Sequence, residues 1–285
     1  MLICPICHLS LNFTKKTYQC ANQHSFDVAK GGYVNLHLVQ HKKSKHPGDT
    51  PAAVQARRAF LSAEHYQPLK SEILNMIGNI RPKTILDIGC GEGYYTQALG
   101  SICDHVIGLD IAKSAIQTAA KADGSNQITW VVATGSVLPV ADKSMNVCTS
   151  FFSPLPKDEI RRVLCDGGYL MVAVAAPNHL YDMRAALFET VVAHHPNKSI
   201  QRLAPEFCLV DQAYITAPMH LDNTALKNLI AMTPYAYKAK SERRAALECC
   251  ESFFVQGEFC IFLFKKLQLF CHCYGKYKRQ VWVNK

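Results

Sequence analysis

The sequence predicts an α/β fold in which helices flank a mostly parallel, doubly wound β-sheet that follows a small metal-binding module. Three observations predict it. Short apolar strand patterns alternate with helical patterns from about residue 81 onward. A glycine-rich turn follows the first of these strands, and a cluster of cysteines with a histidine lies near residue 1.

The N-terminal cysteines and histidine have the spacing of a structural zinc site. Two residues separate Cys4 from Cys7, and three separate Cys20 from His24. Two such pairs, joined by a short ribbon, can form a tetrahedron of three thiolates and one imidazole around one zinc ion per chain. Four protein ligands leave no open position, so we expect the ion to stabilise the fold and to take no part in chemistry. The alternative, a metal-free cluster, leaves residues 1–35 with little to order them.

Residues 36–80 are predicted to form a basic connector and a helical segment. The connector contains three lysines, Lys42, Lys43 and Lys45, here named the connector lysines, among turn-forming residues. This composition predicts a solvated segment. Over residues 52–80 the apolar side chains recur at helical spacing.

The sheet is predicted between residues 81 and 264. Its strand patterns cover residues 84–88, 106–110, 129–133, 145–152 and 169–174, the last of them after a turn at Asp166-Gly167-Gly168. Helical stretches between strands favour a parallel arrangement. Segments 209–219 and 253–264 are expected to form a closing antiparallel pair around a helix at 224–232. Residues 265–285 form a tail to which the sequence assigns no role.

The loop after the first strand has the pattern of a nucleoside-binding turn. It reads Asp87-Ile88-Gly89-Cys90-Gly91-Glu92-Gly93, and glycines let a ligand approach the backbone closely. Dinucleotide enzymes use Gly-x-Gly-x-x-Gly and bind a pyrophosphate there. Here the third glycine comes one residue earlier, and the carboxylates of Asp87 and Glu92 would repel a pyrophosphate. They suit a ligand with a cationic amino group and a sulfonium, which indicates S-adenosylmethionine and not NAD.

A further acidic residue supports the same ligand. Asp110 ends the second predicted strand, 21 residues after Gly89. From that position a carboxylate can accept hydrogen bonds from both ribose hydroxyls. A glycine loop alone is often only a turn, so the strand order and Asp110 carry the assignment.

Segments spread over most of the chain resemble the bacterial 23S ribosomal RNA guanine-N1 methyltransferases. The segments are 4–35, Pro47-Gly48-Asp49, Arg57-Arg58-Ala59-Phe60-Leu61, His65-Tyr66-Gln67-Pro68-Leu69, 86–96, Ala176-Pro177-Asn178-His179-Leu180 and Met232-Thr233-Pro234-Tyr235-Ala236. The resemblance extends from Cys4 to about Phe264. It implies a class I methyltransferase with a Rossmann-like sheet and an N-terminal zinc-binding module, which methylates N1 of a guanine in a hairpin loop of 23S rRNA.

The resemblance also implies site residues. It assigns zinc to Cys4, Cys7, Cys20 and His24, and S-adenosylmethionine to Tyr66, Gly91, Glu92 and His179, beside Asp87, Gly89, Gly93 and Asp110 from the loop and strand patterns. No residue is identified as the base that removes the guanine N1 proton. Asn146 stands where the family tends to carry Asp, and the loop Phe152-Ser153-Pro154-Leu155-Pro156 also departs from the family pattern.

The charge of the chain favours a polyanionic partner. Lysine and arginine exceed aspartate and glutamate by 31 to 22, for a formal net charge of +9. We expect the connector lysines, Arg57 and Arg58 to contact RNA phosphates. The alternative for the two arginines is a solvated helix face.

Composition also limits the location of the protein and leaves rival functions open. No apolar run approaches the roughly 18 residues of a membrane helix, and the first residues lack the layout of a secretory signal. We therefore expect a cytoplasmic protein, and a homodimer is possible. A small-metabolite methyltransferase and a non-catalytic RNA-binding protein with a nucleoside site remain alternative functions.

Overall fold

The computed structural model describes residues 1–38, 40, 48–125 and 127–267. Its N-terminal part is an antiparallel ribbon of strands β1 (Asn12–Thr14), β2 (Thr17–Gln19) and β3 (Ser25–Asp27). Leu2 and Leu11 of the ribbon are buried in one hydrophobic cluster with residues of the main sheet and its helices. The ribbon therefore shares a core with the rest of the protein.

Within the described residues, eight strands form the main sheet. They are β4 (Tyr33–Asn35), β5 (Thr84–Ile88), β6 (His105–Asp110), β7 (Ile128–Val132), β8 (Met145–Phe151), β9 (Leu164–Ala175), β10 (Phe207–Asp222) and β11 (Ser252–Lys266). Their order is β10-β11-β9-β8-β5-β6-β7-β4. The contacts of β11 with β9 and β10 are antiparallel and the other pairings are parallel. The predicted parallel sheet with a closing antiparallel pair is confirmed.

Helices cover both faces of this sheet. They are α1 (Pro51–Ser62), α2 (Gln67–Gly78), α3 (Tyr94–Gly100), α4 (Lys113–Ala122), α5 (Lys157–Val163), α6 (Tyr181–Leu187), α7 (Lys198–Leu203), α8 (Asn223–Ala231), α9 (Tyr235–Lys238) and α10 (Ser241–Glu248). One large cluster, which includes residues of α1, α2, α6 and α8, packs on one face, and a second, which includes the ribbon and α5, packs on the other. Since β6 and β8 lie on opposite sides of β5, the strand order reverses at β5, where such sheets bind ligands.

Two elements differ from the sequence prediction. The helical segment at residues 52–80 is broken into α1 and α2, because Pro68 lacks an N–H group and would clash with the carbonyl of Glu64 in a continuous helix. Glu64 instead has φ +61°. The predicted turn before the fifth strand is a bulge inside β9, where Gly167 has φ +75° and the register with β8 shifts.

Candidate zinc centre and cofactor site

The four predicted zinc ligands lie together in the ribbon. Their ligand atoms are all within 4.8 Å of one another. The Sγ atoms of Cys7 and Cys20 are 3.6 Å apart, and Nδ1 of His24 is 3.5 Å from Sγ of Cys4 and of Cys20. In a tetrahedral zinc site the S···S edge is about 3.8 Å and the S···N edge about 3.5 Å, from the usual bond lengths. The donor set therefore fits one structural zinc ion that His24 binds through Nδ1.

The glycine loop joins β5 to α3 at the carboxyl edge of the sheet. All three glycines have positive φ, at +76° for Gly89, +58° for Gly91 and +87° for Gly93. A Cβ atom would lie 2.6 Å from Ser153 at Gly89 and 2.6 Å from Trp130 at Gly93. At Gly91 it would meet, among the residues that the structure describes, only Nη1 of Arg57, at 4.0 Å. Packing therefore requires the outer glycines, whereas Gly91 leaves room for a ligand over the loop.

Asp110 ends β6 beside this loop. Its Oδ2 accepts a hydrogen bond from the Gly91 N–H at 2.9 Å, and its Oδ1 accepts one from the Ala112 N–H at 2.7 Å. Each carboxylate oxygen has a second lone pair that can accept a ribose hydroxyl. Burial raises the pKa of Asp110, and Asp49 raises it further, while the two N–H groups and Arg57 oppose this shift. The carboxylate thus orders the loop and keeps acceptor capacity for a ligand.

Asp87 lies beneath the loop and is only 2% exposed. Its Oδ2 accepts the hydroxyl of Thr96 at 2.6 Å and its Oδ1 that of Thr149 at 2.7 Å. Burial raises the pKa of Asp87 to about 6, although both hydroxyls lower it, and nearby Asp110 adds to the rise. Burial also raises the pKa of Glu92, whose side chain lies in the same loop. The site therefore concentrates carboxylates, which favours a cationic ligand.

The arginines predicted to contact RNA bind protein atoms. The guanidinium of Arg57 forms an ion pair with Asp49 and donates to the Met232 carbonyl at 3.0 Å. Its Nη1 is 4.0 Å from the position that a Cβ atom would take at Gly91, and its charge opposes the rise in the pKa of Glu92. Arg58 donates to the Thr118 carbonyl at 3.5 Å. Contact of either arginine with RNA stays a prediction, and the connector lysines lie outside the described residues.

An aromatic cluster forms beside the loop and contains the two residues that only the family resemblance had indicated. Tyr66 packs edge-on against Phe60 and Phe259, with ring centroids 5.3 and 4.7 Å apart, and the His179 ring is 4.8 Å from Phe259. Nδ1 of His179 accepts the Glu258 N–H at 3.1 Å. Burial, with His194 and Arg184, lowers the pKa of His179 to about 3. The imidazole is therefore neutral at pH 7, with its proton on Nε2 as a donor.

The loop after β8 presents an aromatic residue that sequence reasoning did not select. Phe152 has φ +56° and is 47% exposed, and its ring centroid is 5.7 Å from that of Phe259. The next residue, Ser153, fixes the loop by donating to the Ile88 carbonyl at 2.7 Å, directly before the first glycine. The only sequence signal for Phe152 was its position at the end of the fourth predicted strand.

Asn146 does not contact this site. Its Oδ1 accepts the N–H groups of Lys83 and Thr84, each at 3.1 Å, at the start of β5. The glycine loop follows the opposite end of that strand, so this departure from the family pattern stabilises the sheet away from the loop.

Among the residues that the structure describes, none of the helices has both the length and the apolar character needed to span a membrane.

Comparisons with known proteins agree with both halves of the molecule. A family model described as "RlmA, N-terminal" matches residues 2–45, and a methyltransferase-domain model matches residues 86–172. In solved structures, the YcgJ protein of Bacillus subtilis is 16% identical, with a TM-score of 0.46 over 68% of this chain and 98% of that chain.

Two curated relatives are similar to this chain over more than half of its length. The 23S rRNA (guanine(748)-N(1))-methyltransferase of Streptomyces fradiae is 32% identical over 243 residues, or 83% of this chain and 85% of the relative. A Micromonospora griseorubida protein with the provisional name 23S rRNA (guanine-N(1)-)-methyltransferase is 30% identical over 204 residues, 64% of this chain and 68% of that protein. The chain belongs to the 23S rRNA (guanine-N1)-methyltransferase family.

Proposed function

We propose that this protein transfers a methyl group from S-adenosylmethionine to N1 of a guanine in a hairpin loop of 23S ribosomal RNA. The observation that carries the proposal is the 32% identity to a relative that is named for guanine-N1 methylation of 23S rRNA, and the match covers 85% of that relative. A ribosomal RNA substrate is consistent with the net charge of +9 and implies a cytoplasmic enzyme. A homodimer stays a prediction.

The residues around the glycine loop support the cofactor assignment. We propose that they bind it in the following set: Tyr66, Asp87, Gly89, Gly91, Glu92, Gly93, Asp110 and His179. Bound S-adenosylmethionine supplies an electrophilic methyl group on a good leaving group. The protein must then align donor and acceptor, and such positioning is worth up to about 7–11 kcal/mol. Asp110 would bind the ribose with its remaining lone pairs, and the carboxylates of Asp87 and Glu92 favour the cationic form of the ligand.

Phe152 is well placed to receive the target base. A guanine in a structured hairpin must be unstacked before its N1 can reach the methyl group. An exposed phenylalanine in left-handed backbone costs about 1–3 kcal/mol and persists only where its surroundings hold it. Stacking of a base on an aromatic ring is worth about 1–3 kcal/mol, which can offset that strain when RNA binds.

His179 takes a different role. Because its pKa is lowered to about 3, the neutral ring is too weak a base to remove the guanine N1 proton at pH 7. Its Nε2–H group can instead donate a hydrogen bond to the cofactor or the base. The proposal therefore rests on positioning and assigns no side chain as general base.

The experiment that tests the proposal is methylation in vitro. Unmodified 23S rRNA is incubated with the enzyme and S-adenosylmethionine carrying a labelled methyl group, then digested to nucleosides and analysed by mass spectrometry. We expect label in 1-methylguanosine. Label on an exocyclic amine or on C5 of a pyrimidine would contradict the proposed substrate, and turnover on small metabolites alone would favour the metabolite enzyme. RNA binding without any cofactor turnover would favour the non-catalytic protein.

A further inference from the structure

The hydroxyl group of Tyr95 is buried and has no hydrogen-bond partner among the residues that the structure describes. Tyr95 lies in the first turn of α3, directly after the glycine loop. Most buried side-chain hydroxyls are paired, because a buried polar group without a partner is destabilising. The hydroxyl therefore marks a position where a polar atom of a ligand is expected.

The surroundings of Tyr95 place this hydroxyl on the β8 side of the loop. Its ring packs edge-on against Phe151 at the end of β8, with centroids 5.2 Å apart. Burial raises the pKa of Tyr95, and its neighbours Tyr66 and Glu92 raise it further. Asp110 ends β6, which lies on the other side of β5. Tyr95 and Asp110 thus flank the glycine loop from opposite sides.

These positions identify which part of the cofactor reaches Tyr95. With the ribose hydroxyls bound to Asp110, an extended S-adenosylmethionine crosses the loop at Gly91, where the backbone is open. Its amino-acid end then lies near β8. We propose that the Tyr95 hydroxyl binds the amino-acid end of S-adenosylmethionine, the ammonium and carboxylate groups. The inference rests on the cofactor assignment and is independent of the RNA substrate.

The test compares two ligands on the Tyr95→Phe variant by calorimetry. S-adenosylhomocysteine carries the amino-acid end, whereas 5′-methylthioadenosine has the same adenosine and thioether without it. We expect the variant to bind S-adenosylhomocysteine roughly 10- to 100-fold more weakly, as for a hydrogen bond to a charged group. Its affinity for methylthioadenosine should stay within about twofold of wild type. Without ligand, the variant should melt at the same or a higher temperature, because the unpaired hydroxyl is gone.

Tyr94 provides the matched control. It precedes Tyr95 in α3, and its hydroxyl already donates to Oε2 of Glu64 at 3.2 Å. Tyr94→Phe should leave both affinities unchanged. Unchanged binding of S-adenosylhomocysteine to Tyr95→Phe would overturn the proposal, and so would an equal loss for the two ligands. A lower melting temperature together with that equal loss would assign Tyr95 a purely structural role. Neither assay uses RNA, so failure of rRNA methylation would leave the result interpretable.

Discussion

The substitution Asp110→Asn separates the backbone contacts of this carboxylate from its proposed contact with the ribose. An asparagine keeps the shape of the side chain but has a single acceptor oxygen, whereas Asp110 accepts N–H groups from Gly91 and from Ala112 on different oxygens. The amide NH₂ group must then face one of these donors or the ribose. At least one charge-assisted hydrogen bond is lost, which is worth roughly 1.5–3 kcal/mol.

Binding should change more than stability. Burial and Asp49 both disfavour the charge on Asp110 in the folded protein, so removing the charge partly offsets the lost backbone bond. For ribose binding, removal of the charge does not offset the lost hydrogen bond in this way. We expect S-adenosylhomocysteine to bind roughly 10- to 150-fold more weakly, the equivalent of about 1.5–3 kcal/mol. The free energy of unfolding should change by less than that amount.

Calorimetry with S-adenosylhomocysteine and thermal melting measure the two quantities. The matched control is Asp222→Asn, because Oδ1 of Asp222 accepts the Ala225 N–H at 2.7 Å at the start of α8, away from the loop. Its cofactor affinity should equal that of wild type. An unchanged affinity in Asp110→Asn, or the same loss in both variants, would refute the assignment of Asp110 to the ribose.

Four other changes have defined outcomes. Cys20→Ala should reduce zinc, measured by elemental analysis, from about one ion per chain and lower the melting temperature, because the ribbon shares the core of the main sheet. Neutralising the three connector lysines together should weaken RNA binding and its salt dependence, measured by titration, without changing cofactor affinity. Phe152→Ala should lower kcat/KM for RNA about 5- to 150-fold at unchanged cofactor affinity. Because the pKa of Asp87 is about 6 when folded and 3.8 ordinarily, its contribution to stability should decline as pH rises from about 4 to 6. Asp87→Asn should remove that decline in pH-dependent unfolding.

Each of these outcomes has a control or a contrary result. Full zinc content in Cys20→Ala would exclude that ligand, and reduced cofactor binding in the lysine variant would indicate a wider structural effect. Phe254 is also 47% exposed, and strand alternation puts it on the opposite face of β11 from Phe259. Phe254→Ala should therefore leave RNA kinetics unchanged. If the free energy of unfolding depended on pH identically in Asp87→Asn and wild type, the raised pKa of Asp87 would be contradicted.

The fold could be predicted because its signals are local. Apolar strand patterns of five to eight residues, followed by a loop such as Gly89 to Gly93, predict a parallel sheet with a ligand at its carboxyl edge. The spacing of the zinc ligands along the chain is an equally local signal. The break between α1 and α2 could also have been predicted, because Pro68 stands four residues after Glu64. Apolar residues at helical spacing on both sides instead indicated one continuous helical segment.

The remaining site residues depend on contacts between distant segments. The rings of Tyr66 and His179 pack edge-on, 6.3 Å apart, and Phe259 of β11 contacts both, but no spacing in the sequence encodes that contact. The same holds for Arg57, whose partner Met232 is 175 residues away. A buried hydroxyl without a partner among the described residues, such as that of Tyr95, has no sequence pattern at all.

The most direct test of the central claim is nucleoside mass spectrometry of 23S rRNA from a strain that lacks this gene. Three cultures are compared: the deletion strain, the same strain with the wild-type gene restored, and the same strain with the Asp110→Asn gene. We expect one 1-methylguanosine to disappear on deletion, to return with the wild-type gene and to stay reduced with the variant. An unchanged level of 1-methylguanosine in the deletion strain would contradict it.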